Sequence, residues 1–163
     1  MTMRTVFPVL TLATALVGTI TLACADENEA ARPELAQGRS DQEVRTMKIR
    51  MNVEGTAITA TLVGNATSRD FVSLLPLTLT LKDYEATEKI SDLPRRLSTE
   101  GAPAGSDPSI GDITYYAPWG NLAVFYKDFG YSKGLIKLGK IDSGVKALNR
   151  PGPLKVKIEL VEK

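Results

Sequence analysis

The sequence predicts a mainly β fold, an antiparallel barrel or sandwich with short helices at its ends. Several short segments alternate apolar and polar side chains, which is the pattern of half-buried strands. Turn residues separate these segments, and the chain lacks the helix-length connections that parallel strands require. Together these observations indicate roughly seven or eight short strands and two short helices.

The domain is predicted to begin with a hairpin and a short helix. The segment from Met47 to Val53 places its apolar residues on one face, and after a Glu-Gly turn the alternation continues from Ile58 to Leu62. Beyond it the apolar period changes to that of a helix. Thr67 or Ser68 is expected to accept hydrogen bonds from free N–H groups at the helix start, and Pro76 is expected to end the helix.

The rest of the domain is predicted to be a series of strands interrupted by one long loop. This loop, 98–110, is rich in Gly, Pro and Ser and has no internal period. Loops of that length are often functional, although a plain surface excursion would explain it as well. The remaining predicted elements are strands at 77–83, 113–117, 122–127, 134–141 and 154–163 and a short helix at 143–148.

The composition excludes several kinds of function. With 20 basic and 19 acidic residues the formal net charge is +1, so the chain has no field that would attract nucleic acid. It contains no histidine, which rules out Ser-His-Asp and Cys-His catalysis and histidine-ligated metals. Its single cysteine cannot form an internal disulfide or a cysteine-rich zinc site. We therefore expect no nucleic-acid partner, no metal and no cofactor.

Residues 1–25 have the pattern of a secretory signal. Arg4 precedes an apolar stretch from Val6 to Leu22, small residues follow, and the next segment is polar. A retained membrane anchor is the alternative. Two modes of cleavage are open. Cleavage after Ala23-Cys24-Ala25 would release a soluble chain. Alternatively TLAC resembles a relaxed bacterial lipobox, in which case Cys24 would be lipidated and would attach the chain to a membrane. Both modes predict export to the periplasm or cell envelope.

Two further segments differ in composition. Residues 26–45 are polar, acidic at their start and without a hydrophobic period, so we expect a disordered tether. Such a tether suits a lipoprotein and a plainly secreted protein equally. Residues 46–163 carry the alternating pattern and are expected to form the folded domain.

Two segments of this domain resemble the cyclophilins, GDITYYAPWGNLAVFY at 111–126 and LIKLGKIDSGVKAL at 135–148. Over roughly 47–162 the domain looks more like the small bacterial cyclophilin-like family, on the segments LKDYEATEKISDLP at 81–94, GDITYYAPWGNLAVFYKD at 111–128 and GLIKLGKID at 134–142. The resemblance implies a cyclophilin-like closed eight-stranded antiparallel barrel with two short helices, and a surface that binds peptide in true cyclophilins.

The chain departs from the cyclophilins at the positions that the resemblance makes catalytic. Cyclophilins isomerise X–Pro bonds with an arginine that hydrogen-bonds the prolyl amide, but the matching segment, Lys82–Tyr84, has none. The family's glutamine and histidine fall near Ala123 and Leu135. Because a positioned cation stabilises the twisted amide, isomerase activity would need a displaced cation, for which Arg95 and Arg96 are the candidates.

Aromatic residues are concentrated between Gly111 and Asp128, on both faces of the predicted strands. A closed barrel needs apolar residues on its inner face, so the outer rings are either covered by a flanking helix or line a groove. Trp119 is costly to expose in its turn unless it packs or binds something. The polar segment around Glu88 is placed at the mouth of the same groove. The predicted ligand-binding residues are Tyr84, Glu88, Lys89, Tyr116, Trp119, Asn121 and Phe125.

The sequence therefore favours an exported binding module that accepts a peptide or a small-molecule ligand. The alternative is a periplasmic peptidyl-prolyl isomerase with a displaced catalytic cation. A small-molecule enzyme acting through Tyr84 and Glu88 is a third hypothesis. The isomerase hypothesis requires Arg95 or Arg96 to reach the groove, whereas the small-molecule enzyme requires Tyr84 and Glu88 to act in it.

Overall fold

The first hairpin follows the alternation of its side chains. The computed structural model describes residues 46–161. Strand β1 (Met47–Val53) pairs antiparallel with β2 (Thr56–Leu62), and the inward side chains of both strands lie in the core. Glu54 and Gly55 join them with φ angles of +48° and +86°, which is the left-handed conformation that a tight hairpin turn requires. The predicted hairpin is confirmed.

Eight strands close into an antiparallel barrel, and two very short strands pair beside it. The elements after the hairpin are α1 (Ala66–Val72), β3 (Leu77–Tyr84), β4 (Glu88–Asp92), β5 (Gly105–Ser106), β6 (Asp112–Tyr116), β7 (Asn121–Phe125), β8 (Ser132–Lys133), β9 (Leu135–Ser143), a 3-10 turn (Val145–Ala147) and β10 (Leu154–Leu160). Around the barrel the order is β1-β10-β3-β4-β7-β6-β9-β2, and β5 pairs with β8. The mainly β, closed eight-stranded barrel is confirmed.

The two short helices differ in detail from the sequence prediction. Helix α1 begins after Asn65, whose extended backbone lets Oδ1 accept a hydrogen bond from the N–H of Ser68 at 2.7 Å. The predicted caps, Thr67 and Ser68, lie inside the helix and are buried. Ser68 Oγ instead donates to the carbonyl of Leu138 at 2.9 Å and ties α1 to β9. The second predicted helix is only the 3-10 turn at Val145–Ala147.

Strand β4 turns its charged residue inward and its isoleucine outward. Lys89 is completely buried, and Nζ donates to a carboxylate oxygen of Asp83 at 2.6 Å and to the carbonyls of Arg150 and Gly152 at 2.6 and 2.9 Å. A buried charge is tolerated only with such partners. Lys89 therefore joins β4 to β3 and to the segment before β10. It does not belong to the groove where the sequence placed it.

A second apolar cluster lies on the outer face of the barrel. It contains Ala123, Phe125 and Leu135, with Ile90 and Tyr116 packed against them. Successive strand residues point to opposite faces, and the intervening residues of β7 belong to the interior core. Both faces of β7 are therefore apolar, as the sequence indicated.

The long loop at 98–110 is hydrogen-bonded to one member of this outer cluster, Leu135. Its strand β5 pairs with β8, and Ser106 Oγ donates to the carbonyl of Leu135 at 3.0 Å. Among residues 46–161, the element beside the cluster is thus a loop with a two-stranded ladder and not the flanking helix considered above. Residues of the outer cluster also line a pocket on this face of the barrel.

No helix within residues 46–161 is long and apolar enough to cross a bilayer. The predicted signal at 1–25, the tether at 26–45 and Cys24 lie outside the described residues. Export, tethering and lipidation therefore stay predictions.

Candidate functional site

The outer apolar cluster forms the floor of a pocket of about 200 Å³. Strand alternation directs Asn121, Ala123 and Phe125 of β7 to this face. The register pairs Glu88 of β4 with Phe125, and Tyr116 of β6 with Asn121, so three neighbouring strands meet in one site. The pocket is lined by Tyr84, Glu85, Thr87, Glu88, Ile90, Tyr116, Trp119, Asn121, Ala123, Phe125, Phe129, Ser132 and Leu135.

Trp119 forms an aromatic wall at the turn between β6 and β7. Its ring centroid lies 5.4 Å from that of Tyr84 and 5.4 Å from that of Tyr116, and both contacts are edge-to-face. This arrangement is favourable for aromatic rings. Trp119 nevertheless remains 55% exposed, so much of its ring surface is open to a ligand.

Phe129 forms another part of the pocket rim. Its ring stacks on that of Phe125 with centroids 6.3 Å apart. Phe125 is buried, whereas Phe129 is half exposed. Such exposed rings beside an apolar floor are typical of surfaces that bind other molecules.

Two carboxyl groups, those of Glu85 and Glu88, also line the pocket. Burial of Glu88, and to a smaller extent the negative charge of Glu85, raises the pKa of Glu88 from 4.5 to about 7. Near neutral pH this carboxyl group therefore exists in both its protonated and its charged form. It can donate or accept a hydrogen bond, and a nearby positive charge would favour the charged form.

Asn121 presents an acceptor without a partner. The residue is only 2% exposed, and no hydrogen-bond donor within the described chain reaches its Oδ1. A buried polar atom that lacks a hydrogen bond costs on the order of 1–3 kcal/mol. Asn121 is one of the pocket-lining residues, but Oδ1 itself has almost no accessible surface.

Asp112 has the other buried side-chain oxygen that lacks a hydrogen bond within the described chain, but its environment differs. Its Oδ1 lies 2.8 Å from Nζ of Lys137 in an ion pair. The charge of Asp112 is therefore compensated within the protein, whereas Oδ1 of Asn121 is not.

The pocket contains all but one of the predicted ligand-binding residues. The exception is Lys89, which points into the barrel. Sequence reasoning missed Phe129, Ser132 and Leu135 among others. Strand parity from Phe125 would have indicated Ala123, but Phe129 lies beyond the predicted strand, where no periodicity applies. The predicted residues that line the pocket are Tyr84, Glu88, Tyr116, Trp119, Asn121 and Phe125.

Neither candidate for a displaced catalytic cation lines the pocket. The guanidinium of Arg95 donates to both carboxylate oxygens of Asp70, at 2.6 and 3.0 Å. This pairing, with the N–H of Ser98, lowers the pKa of Asp70 to about 2. The guanidinium of Arg96 donates to the carbonyl of Ala117 at 2.6 Å and so holds the turn that carries Trp119. Among the described residues that line the pocket, none is a lysine or an arginine.

A closed eight-stranded barrel with this strand order defines the chain as a cyclophilin-type barrel. The sequence from residue 51 to 159 matches the model of the cyclophilin-like family. Because the match spans more than half of the chain, the chain belongs to the cyclophilin-like family.

A solved structure has a similar fold. The solution structure of a hypothetical protein from Archaeoglobus fulgidus matches with a TM-score of 0.57 and 15% sequence identity, covering 74% of this chain and 99% of that chain. At this identity the likeness shows the shared fold. No curated protein matches the chain.

Proposed function

We propose that this cyclophilin-like protein is an exported binding module whose outer-face pocket accepts a peptide side chain or a small ligand. The observation that carries the proposal is the exposed ring of Trp119 beside the apolar floor of the outer-face pocket. Apolar walls with a few polar groups are the common composition of ligand pockets.

The positions of the charged groups favour binding over isomerisation. Stabilising a twisted prolyl amide calls for a donor or cation aimed at the amide. Arg95 and Arg96 are engaged by Asp70 and by the 117–118 carbonyls, and the charged groups that line the pocket are carboxyls. We therefore expect no turnover of a prolyl peptide above the uncatalysed rate.

A panel of capped Ala-Xaa-Ala peptides, one for every natural side chain except tryptophan, tests the binding proposal on the full-length chain. Trp119 is the only tryptophan, so its emission reports on this pocket alone. We expect at least one peptide to change the emission in a saturable manner. We also expect Phe129→Ala to weaken that binding at least about ten-fold, because it removes the rim of the pocket.

Tyr131→Ala is the matched control. Tyr131 is an exposed ring, like Phe129, but it is not among the pocket-lining residues. Its substitution should leave the affinity unchanged. Peptide binding is contradicted if no peptide alters the emission of Trp119, and the pocket is not the binding site if both substitutions weaken binding equally.

Export is the second part of the proposal, and its support is the secretory pattern of residues 1–25. Fractionation of cells that express the full chain tests it. We expect the protein in the cell envelope or periplasm, and its retention in the cytoplasm would contradict export. Detergent-phase partitioning of the wild type and of Cys24→Ala then distinguishes a lipid-anchored chain, which the substitution releases, from a soluble one, which it leaves unchanged.

A further inference from the structure

We propose, on the basis of the binding function above, that the pocket selects an organic cation, the ammonium or guanidinium group of a basic side chain or of a free amine. Two independent features of the site point to this ligand class. They are the sign of its charges and the nature of its walls.

The charges that line the pocket are negative. Glu85 and Glu88 contribute carboxyl groups, and among the described lining residues there is no basic side chain to compensate them. Burial of Glu88 and the neighbouring charge of Glu85 disfavour the charged form of Glu88. A positive ligand group would offset both effects, whereas an anionic ligand would add to the repulsion.

The walls of the pocket suit a cation. An ammonium or guanidinium group is attracted to the faces of aromatic rings, and tryptophan is the best of these rings. Trp119, Tyr84 and Tyr116 form one wall, Phe125 lies in the floor, and Phe129 stacks on Phe125 at the rim. Several rings beside carboxyl groups combine cation–π attraction with charge pairing.

The size of the pocket limits the ligand to one side chain or a small amine. Its volume of about 200 Å³ lies below the roughly 300–1,000 Å³ of pockets that enclose drug-sized molecules. A peptide would therefore place one side chain in the pocket and run across the surface outside it.

The experiment compares three probes on the full-length chain by the emission of Trp119. N-acetyl-lysine-methylamide represents a peptide side chain, n-pentylamine represents a free amine, and N-acetyl-norleucine-methylamide is the uncharged analogue of the first. We expect the lysine probe or the amine to bind at least about ten-fold more tightly than the norleucine probe. Whichever cation binds more tightly identifies the source of the ligand.

Substitutions assign the selectivity to the pocket. Glu88→Gln keeps the shape of the side chain but removes its charge, so it should reduce the preference for the cation several-fold. Glu100→Gln, at an exposed loop residue outside the pocket lining, should leave the preference unchanged. Circular dichroism and thermal melts establish that both variants are folded.

The possible outcomes separate this inference from the binding function. If the norleucine probe binds as tightly as both cations, or if Glu88→Gln keeps the full preference, the cation inference is overturned while binding stands. The cation inference is likewise overturned if a neutral or acidic member of the Ala-Xaa-Ala panel binds and both cations do not. If neither these probes nor any panel peptide binds, the binding function itself falls.

Discussion

The raised pKa of Glu88 makes the stability of the protein depend on pH. Between 4.5 and about 7 the folded state holds this proton more often than the unfolded state, so the free energy of unfolding falls as the pH rises through that window. Glu88→Gln removes this dependence. We expect the variant to match the wild type near about pH 5 and to exceed it near about pH 7.5, by on the order of 1–2 kcal/mol after solvent screening.

Thermal melts across this pH range measure the effect. The chain has no histidine, so few other side chains titrate in the same window. Glu100→Gln serves as the control and should keep the wild-type pH profile. If the stability of Glu88→Gln depends on pH as that of the wild type does, burial of this carboxyl group is not the cause of the dependence.

Lys89 is the buried residue whose loss should cost most among the charged side chains of the barrel. Lys89→Ala removes the ammonium donor from the carbonyls of Arg150 and Gly152 and from Oδ2 of Asp83. The other oxygen of Asp83 keeps the hydroxyl of Tyr126 as its donor. We expect the free energy of unfolding in urea to fall by about 3 kcal/mol or more. Lys82→Ala, an exposed lysine of β3, should change it by less than about 0.5 kcal/mol. Equal effects would argue against a structural role for Lys89.

Helix α1 depends on the side chain of Asn65 at both of its polar atoms. Oδ1 accepts from the N–H of Ser68, and Nδ2 donates to the carbonyl of Lys137 at 2.9 Å. Asn65→Ala removes the cap and this link to β9, so we expect a loss of about 1–2 kcal/mol in urea unfolding. The exposed Asn149 offers the control Asn149→Ala. A loss no larger than the control's would contradict the assigned cap.

How far an element is predictable from the sequence depends on how well its side chains follow the expected pattern. β1, β2 and β10 alternate cleanly, and the sequence predicts all three. It does not predict β4 as a strand, because Lys89 points inward and Ile90 outward, the reverse of what hydrophobicity indicates. The inward lysine is stabilised by carbonyls about sixty residues away in the chain, and no local pattern contains them.

The residues of the pocket likewise divide into those that the sequence predicts and those that it does not. Tyr116, Asn121 and Phe125 could be predicted because strand parity assigns them to one face. Phe129 could not, because it belongs to the irregular segment between β7 and β8, and its place against Phe125 is set by packing alone. The unpartnered state of Oδ1 of Asn121 likewise depends on every neighbour around it.

The molecule as a whole contains two apolar clusters on opposite faces of the same barrel wall. Because the clusters are separate, we expect that substitutions can change the free energy of unfolding and the affinity for a ligand independently. Leu138→Ala empties a site in the fully buried interior, so the free energy of unfolding should fall by about 2–5 kcal/mol while the folded protein keeps its affinity for the best peptide of the Ala-Xaa-Ala panel. Phe129→Ala should weaken the affinity for that peptide and change the free energy of unfolding little, because its half-exposed ring contributes to the pocket rim and little to the core. Urea unfolding and titration of Trp119 emission on both single variants and on the double variant measure this, and effects at separate sites should add. A large loss of affinity in Leu138→Ala at temperatures where it is folded would instead mean that interior packing positions the outer pocket through the shared strands.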